Sequence, residues 1–573
     1  PRSRSIDPGI PPVPFRTRAT RIGDASGTHT SSLPPYPKRT AMPIRMTPDE
    51  GQEQNQGPRP SRGGGGSPNI GGGGLIGMLL PMLFKNPKLL LILLVVGGLF
   101  YFMGGSKGCA GGGGGGVAEV VSNLFNKGAT LDPKEYDKAE VFEPLADNVK
   151  NPLPEKVSLE AFAPPRLNQG QQGSCVAWAS AYAARSIVNN AATKQTPTTA
   201  NAFSPSFLYN QIKIENSGCQ GSYLIRAMEN MKAGGVAPFS KFAYDDQDCS
   251  RPPTEEAREA AKAYRIKGFQ RLSATDDPRS KVDMLAMKQQ LDQGAPVVIG
   301  MMVGGSFMQE MEGQEKWYPN ESDYQMHGFG GHAMCVIGYD DFKFGQDGGF
   351  QIMNSWGDKW GKNGIAWVSY NDFAYFAKEA YAVYPQGEGV DVKPSRFDLR
   401  FGLAVVDAKG KATGENIPLT HVGGRVFRTV SPIAKGTRFK IEVTNKAECY
   451  TYIFGEETDG STYTLFPYTP KHSPYCGITG TRVFPSDQSL TADEVGTTDV
   501  MAIVVYNQPV DYPKVNEAMK QNPAKGLGAK LSAVLGTELM GADGLTYTEG
   551  ATFGASGPAS SNAVAFVLEV TKR

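Results

Sequence analysis

Three short stretches of this chain carry the groups that nucleophilic catalysis needs. The first is Gln169-Gly-Gln-Gln-Gly-Ser-Cys175-Val-Ala-Trp178, a thiol between a glycine-rich turn and a helical run over residues 176–185. A cysteine at the start of a helix lies near unpaired N–H groups and the positive dipole end, which favours the thiolate. The second is Gly330-Gly-His332-Ala-Met-Cys-Val-Ile-Gly-Tyr339, where a histidine opens an apolar, β-rich run and should sit at a strand end facing a cleft. The third is Gln351-Ile-Met-Asn354-Ser-Trp356-Gly-Asp-Lys-Trp360-Gly, an asparagine after another short apolar strand. A thiol needs a base, and the base needs a third group to hold its ring. His327 lies in a loop of glycine and polar residues without such an anchor, so His332 is the expected base. Cys175 alone would read as a buried structural thiol; the two downstream stretches complete the chemistry.

In this order the three motifs resemble the papain family of cysteine peptidases, over residues 153–384, about 40% of the chain. The resemblance implies that Cys175 is the nucleophile. It makes His332 the imidazolium partner that later protonates the leaving amine, with Asn354 orienting it and Trp356 shielding the Asn–His hydrogen bond. Gln169 becomes the side-chain donor of the oxyanion hole, beside the Cys175 N–H. The family also implies a helical half and a β half facing across a cleft, without metal or cofactor. The segment Gly218-Cys219-Gln-Gly221-Ser222-Tyr223-Leu224 resembles the family's C-x-G-G stretch, with Ser222 in place of the second glycine. Gly221, Ser222, Tyr223 and Leu224 would form one wall of the substrate pocket, and Gly330, Gly331 and Ala333 the other. None of these is charged, so the pocket is expected to take Leu, Val, Phe or Tyr and to reject charged side chains.

Departures from the family pattern are visible too. Gln172 replaces the first cysteine of the signature, and Val176 replaces the aromatic after the nucleophile. His332 and Asn354 follow at longer separations than the usual about 130–150 residues. Gln172 leaves Cys219 without its usual family partner, and Cys249 stands where the family places another half-cystine. In an oxidising compartment the resemblance therefore points to a Cys219–Cys249 bridge; Cys449–Cys476 is expected as a second, outside the resembling region, and Cys335, inside an apolar strand, should stay a buried thiol.

The elements around the motifs suggest an α+β protein of several parts. The chain has 573 residues, 58 Lys and Arg against 57 Asp and Glu, and seven cysteines. A net charge of +1 gives no reason to expect nucleic acid, and no C-x-x-C metal spacing occurs. Residues 1–74 are basic, Pro- and Gly-rich and lack periodic apolar positions, so disorder is expected. Residues 75–106 read as a membrane segment. Within it, residues 89–106 are uncharged between Lys88 and Lys107, a span of about 27 Å as a helix. One span is expected to make this a single-pass protein, placed in a bacterial inner membrane, and the basic excess ahead of it predicts the N-terminus cytoplasmic and the rest periplasmic or extracellular. Residues 107–152 form a Gly-rich linker and a segment too short for the long inhibitory prodomain usual in the family. The peptidase-like part covers residues 153–385, and residues 386–396 form a linker. Residues 397–573 alternate apolar and polar positions, as at Phe397, Leu399, Phe401 and Leu403. They should form an antiparallel β sandwich with a helical insert near residues 514–535. That domain carries no catalytic constellation, which leaves it a binding or positioning role with room for a protein partner. The expected function is a membrane-anchored cysteine endopeptidase acting on peptide or protein substrates. The alternatives are an inert peptide-binding scaffold and an acyl transferase using the same Cys–His pair.

Overall fold

The computed structural model describes residues 44–49, 128–146, 150–384 and 394–573. Cys175 opens one helix that runs through Cys175–Ala177, Trp178–Arg185 and Ser186–Thr193, its middle stretch wound as a π-helix. Over residues 175–188 every side chain is buried, as in a helix at the centre of a domain. Helices Pro205–Ile212 and Leu224–Ala233 pack beside it and complete a helical half. Ser204 caps the first of these by accepting the Phe207 N–H, and Pro205 occupies its first turn.

The facing half is an antiparallel sheet. Its strands run in the order Gly268–Arg271, Ala377–Tyr384, Val297–Val303, Gly330–Phe344, Asp347–Met353 and Ile365–Ser369. Lys156–Ser158 adds to the outer part of Gly330–Phe344. Val297–Val303 is apolar throughout because both its faces are covered. The register sets His332 opposite Met301, and Gly300 opposite both Ala333 and Glu379.

The C-terminal part is a pair of packed sheets. One is built on Arg396–Val406 and Arg438–Asn445, the other on Cys449–Glu456, Thr498–Tyr506 and Ala563–Thr571. Alternation explains both faces of the second sheet. Ile453, Ile503, Val505 and Phe566 point into the sandwich, where the Phe401 and Phe566 rings stack at 4.3 Å. Tyr452, Phe454, Val504 and Ala565 point outward and are covered by helices Tyr512–Gln521 and Leu527–Leu535.

Several expectations need correction. Among the described residues no helix is long and apolar enough to cross a membrane. The expected single-pass span, the membrane attachment and the bacterial inner-membrane location built on it are corrected accordingly; residues 75–106 lie outside the described residues. The sandwich is not wholly antiparallel, since Val426–Thr429 pairs parallel with Ala563–Thr571. Within the expected disordered tail, Ile44–Pro48 forms a strand against Gln488–Ala492, and the Asp49 carboxylate bridges Arg438 at 2.6 Å and Lys440 at 2.8 Å. Nor does the structure supply the expected protein partner for the C-terminal sheets. What they contact is this chain itself: that strand, the peptidase-like half, and residues 140–146.

Residues 140–146 run along the seam between the two halves. Phe142 N–H donates to Arg271 O and the Gln289 side chain brackets Leu145 on one side. Val141 N–H donates to Lys471 O, Ala146 N–H to Thr481 O, and Arg482 Nε–H to Glu143 O on the other. A direct contact, Gln270 Nε2 to Tyr475 O at 3.0 Å, reinforces the seam.

Candidate active site

Cys175 and His332 come from opposite halves and meet at the strand end. The Ala333 N–H, one residue past His332, donates to Cys175 Sγ at 3.3 Å, and both side chains are fully buried. His332 Nε2 lies 2.8 Å from Asn354 Oδ1. Asn354 Oδ1 also accepts the Ser355 N–H at 2.8 Å, which fixes it as the acceptor and puts the proton on His332 Nε2. The basic nitrogen of that tautomer is Nδ1. Trp356 stacks on the imidazole with centroids 4.5 Å apart, covering the Asn–His pair. His327 is exposed in the loop ahead of the strand and takes no part.

Burial pushes the Cys175 thiol up to about 12, while the N–H groups of Ala333, Val176 and Cys175 itself pull it down. The N–H groups at the helix start act in the direction expected from sequence, and burial acts against them. In this desolvated place the charged form needs an adjacent cation, and the imidazole is the group that can become one.

Gln169 is buried in the loop that leads to Cys175. Its Nε2 donates to Gln172 O at 3.0 Å, its Oε1 accepts the Ser355 hydroxyl at 2.7 Å, and its backbone N–H donates to Ser355 O. Ser355 thus holds both amides of the site, Gln169 through its hydroxyl and Asn354 through its N–H. Tyr244 steadies the loop from outside: its hydroxyl donates to Gln169 O and lies 2.7 Å from Ser174 Oγ. Sequence reasoning missed both residues. Ser355 could have been found as the neighbour of Asn354; nothing in the sequence signals Tyr244.

The expected pocket residues divide between two walls. The Gly221 N–H donates to Tyr209 OH, and the Ser222 hydroxyl turns away to Ile212 O, which lets a side chain stand where the family has glycine. Tyr223 is half-buried, with Arg226 over its ring, and Leu224 starts its helix. Gly330, Gly331 and Ala333 lie along the opposing strand.

A further segment, not expected from sequence, lies between these walls. Thr130 N–H donates to Ser222 O at 2.9 Å, Ser222 N–H to Gly128 O at 3.0 Å, and Ala129 N–H to Gly331 O at 3.2 Å. Gly128 has φ +108°, and a Cβ there would lie 2.7 Å from the Gly173 backbone, so only glycine fits this approach. Residues 128–132 therefore occupy the cleft in the manner of a bound peptide. The short length of the 107–152 region does not prevent it from blocking the site.

The cysteines divide as well. Cys219 and Cys249 form a disulfide, with Cα atoms 5.9 Å apart. Cys449 and Cys476 sit directly opposite each other on neighbouring strands yet are thiols, and Cys335 is a buried thiol. Among the described residues no group of His, Cys, Asp and Glu is placed to hold a metal ion.

Comparison with known proteins shows what the chain is similar to. The family model described as papain family cysteine protease matches residues 157–385. The chain is 32% identical over 221 residues to an uncharacterized peptidase C1-like protein of Acanthamoeba polyphaga mimivirus, covering 38% of this chain and 67% of that protein. It is 27% identical over 216 residues to mouse cathepsin K, covering 37% of this chain and 58% of the relative. Among solved structures, xylellain, a cysteine protease from Xylella fastidiosa, aligns at 25% identity and a TM-score of 0.35, over 43% of this chain and 92% of its own.

Proposed function

This chain belongs to the papain family of cysteine peptidases, and we propose that it hydrolyses peptide bonds with Cys175, His332, Asn354 and Gln169 in the roles their positions suggest. The observation that carries the reading is the pair of contacts at the strand end: Ala333 N–H on Cys175 Sγ, and His332 Nε2 on Asn354 Oδ1. The thiol proton passes to His332 Nδ1, so thiolate and imidazolium form together. The thiolate attacks the peptide carbonyl, and the oxyanion is held by the Cys175 N–H and the Gln169 amide. The imidazolium then protonates the leaving amine, the C–N bond breaks, and a thioester remains on Cys175. Water, deprotonated by the now neutral His332, attacks the thioester and returns the thiol and a carboxylic acid.

Residues 128–132 stand in the place of the substrate, so they leave the cleft before a peptide enters. Their departure also brings water to Cys175 and eases the formation of the ion pair. The test is cleavage of a peptide library by the full chain, wild type beside Cys175→Ala. Products with the masses of hydrolysis in the wild type, and none in Cys175→Ala, are expected. Equal cleavage by both proteins ends the reading.

A further inference from the structure

The strand Ile44–Pro48 is held by features that would suit a free peptide. Its partner Gln488–Ala492 would otherwise end its sheet, with Arg438–Asn445 on the far side. A strand at a sheet edge offers a row of main-chain N–H and C=O groups to any extended segment. No turn forces this pairing: the described residue that follows Asp49 is Gly128, and the partner strand begins at Gln488. The edge therefore takes residues 44–49 for what they present.

What they present is an apolar side chain and a carboxylate. The register sets Met46 opposite Leu490, and Met46 packs onto the sandwich core. Thr47 Oγ1 lies 3.0 Å from Thr491 Oγ1. Three residues after Met46, the Asp49 carboxylate enters a built pocket. Arg438 Nη2 donates to one oxygen at 2.6 Å, Lys440 Nζ donates to the other at 2.8 Å, and the Ser489 hydroxyl donates to the first. Lys440 is 3% exposed and the Asp49 side chain 4%. Gly410, at φ +75°, leaves the room, since a Cβ there would stand 1.7 Å from Asp49 Cγ. Arg438 and Lys440 are two residues apart on one strand and so share a face, and cations buried this deeply call for an anion.

We propose that this edge of the C-terminal part is a peptide-recognition site. Its ligand is an extended segment with an apolar side chain and, three residues on, a carboxylate. Residues 44–49 are the occupant supplied by the chain, and a separate peptide of the same chemistry competes with them. Main-chain pairing supplies part of the affinity, and the carboxylate pocket supplies the selectivity. The site is distinct from the catalytic cleft and independent of the peptidase reading.

The test uses a fluorescent peptide with the sequence of residues 43–51, carrying a photoreactive diazirine in place of the Met46 side chain. The protein is the full chain with Cys175→Ala, so that the probe is not cleaved, with and without Asp49→Asn. Asp49→Asn weakens the chain's own occupant and leaves the pocket as it is. Binding at least tenfold tighter to the Asp49→Asn chain than to its parent is expected, with the cross-link on the strand Gln488–Ala492. A second peptide with asparagine at the place of Asp49 keeps the shape and loses the charge, and should bind the same Asp49→Asn protein at least tenfold more weakly. Equal affinities for the two peptides, equal affinities for the two proteins, no binding to the Asp49→Asn chain, or a cross-link elsewhere overturns the inference and leaves the peptidase reading standing.

Discussion

Replacing Thr130 by proline is expected to open the cleft. In the seated segment the Thr130 N–H donates to Ser222 O at 2.9 Å, and Ser222 is fully buried. Proline deletes the donor. The lost bond is worth about 0.5–1.5 kcal/mol, and the buried carbonyl left without a partner costs about 1–3 kcal/mol more while the segment stays in place. The sum, about 1.5–4.5 kcal/mol, shifts the balance between seated and released segment roughly 10- to 1,600-fold, at about 1.4 kcal/mol per tenfold. Anchors that remain include Ala129 on Gly331, Ser222 on Gly128, Asp132 on Glu379 and the Leu131 side chain. The assay is the second-order rate of Cys175 labelling by a leucine-bearing peptidyl epoxide, followed by intact mass. Thr130→Ala keeps the N–H and serves as the control, and Cys175→Ala reports reaction at other thiols. A rise of at least tenfold in Thr130→Pro, with Thr130→Ala close to wild type, is the expected result. Equal rates in all three proteins would refute the reasoning, because the segment would then not control access to the thiol.

Other consequences follow from the same geometry. Gln169→Ala is expected to lower kcat by roughly 10²–10³ if the amide serves the oxyanion. Ser355→Ala, which frees the Gln169 amide but keeps the Asn354 contact, should lower kcat by less and leave KM near its starting value; an equal loss from both variants would place Ser355 in the chemistry itself. Glu143 is buried in the seam, and burial raises its carboxyl to about 8, against hydrogen bonds from Ser486 and Tyr468 and the Arg482 charge that lower it. A folded carboxyl raised above its unfolded value contributes most below about 4.5, and that contribution is lost as the pH rises toward 8. Glu143→Gln should therefore raise Tm relative to wild type at pH 8–9 and lose that advantage near pH 4.5; thermal melts across this range check it, and a pH-independent difference contradicts it.

The residues that meet at the candidate site were legible because each is announced by its own local punctuation. Cys175 follows a glycine turn, His332 opens an apolar strand, and Asn354 closes another. The strand pairing that brings them together turns those local signals into a site. The alternation at Phe397, Leu399, Phe401 and Leu403 likewise marks the strand Arg396–Val406, since one face meets the sandwich core. What sequence could not show depends on distant pairing. Glu379 comes to lie opposite Gly300 only because Ala377–Tyr384 runs antiparallel beside Val297–Val303, and nothing near Glu379 in sequence names that neighbour. Residues 128–132 read Gly-Ala-Thr-Leu-Asp, without apolar periodicity, and what holds them is largely backbone pairing, which composition does not encode. The Ile44–Pro48 strand sits in a Pro- and Arg-rich background, and its partner Gln488–Ala492 lies at the other end of the chain. The depth at which Cys175 is buried is another such feature: the helix start favours the thiolate, while the burial that opposes it comes from the packing of distant elements.

The central claim is that Cys175 is a nucleophile activated by His332. It is tested most directly by locating the covalent adduct. The full chain carrying Thr130→Pro is treated with the leucine-bearing epoxide, digested and mapped by mass spectrometry. The account predicts one adduct, on the peptide containing Cys175, its rate at least a hundredfold lower when His332→Ala is added. An adduct spread over Cys335, Cys449 and Cys476, or a rate indifferent to His332, would contradict it.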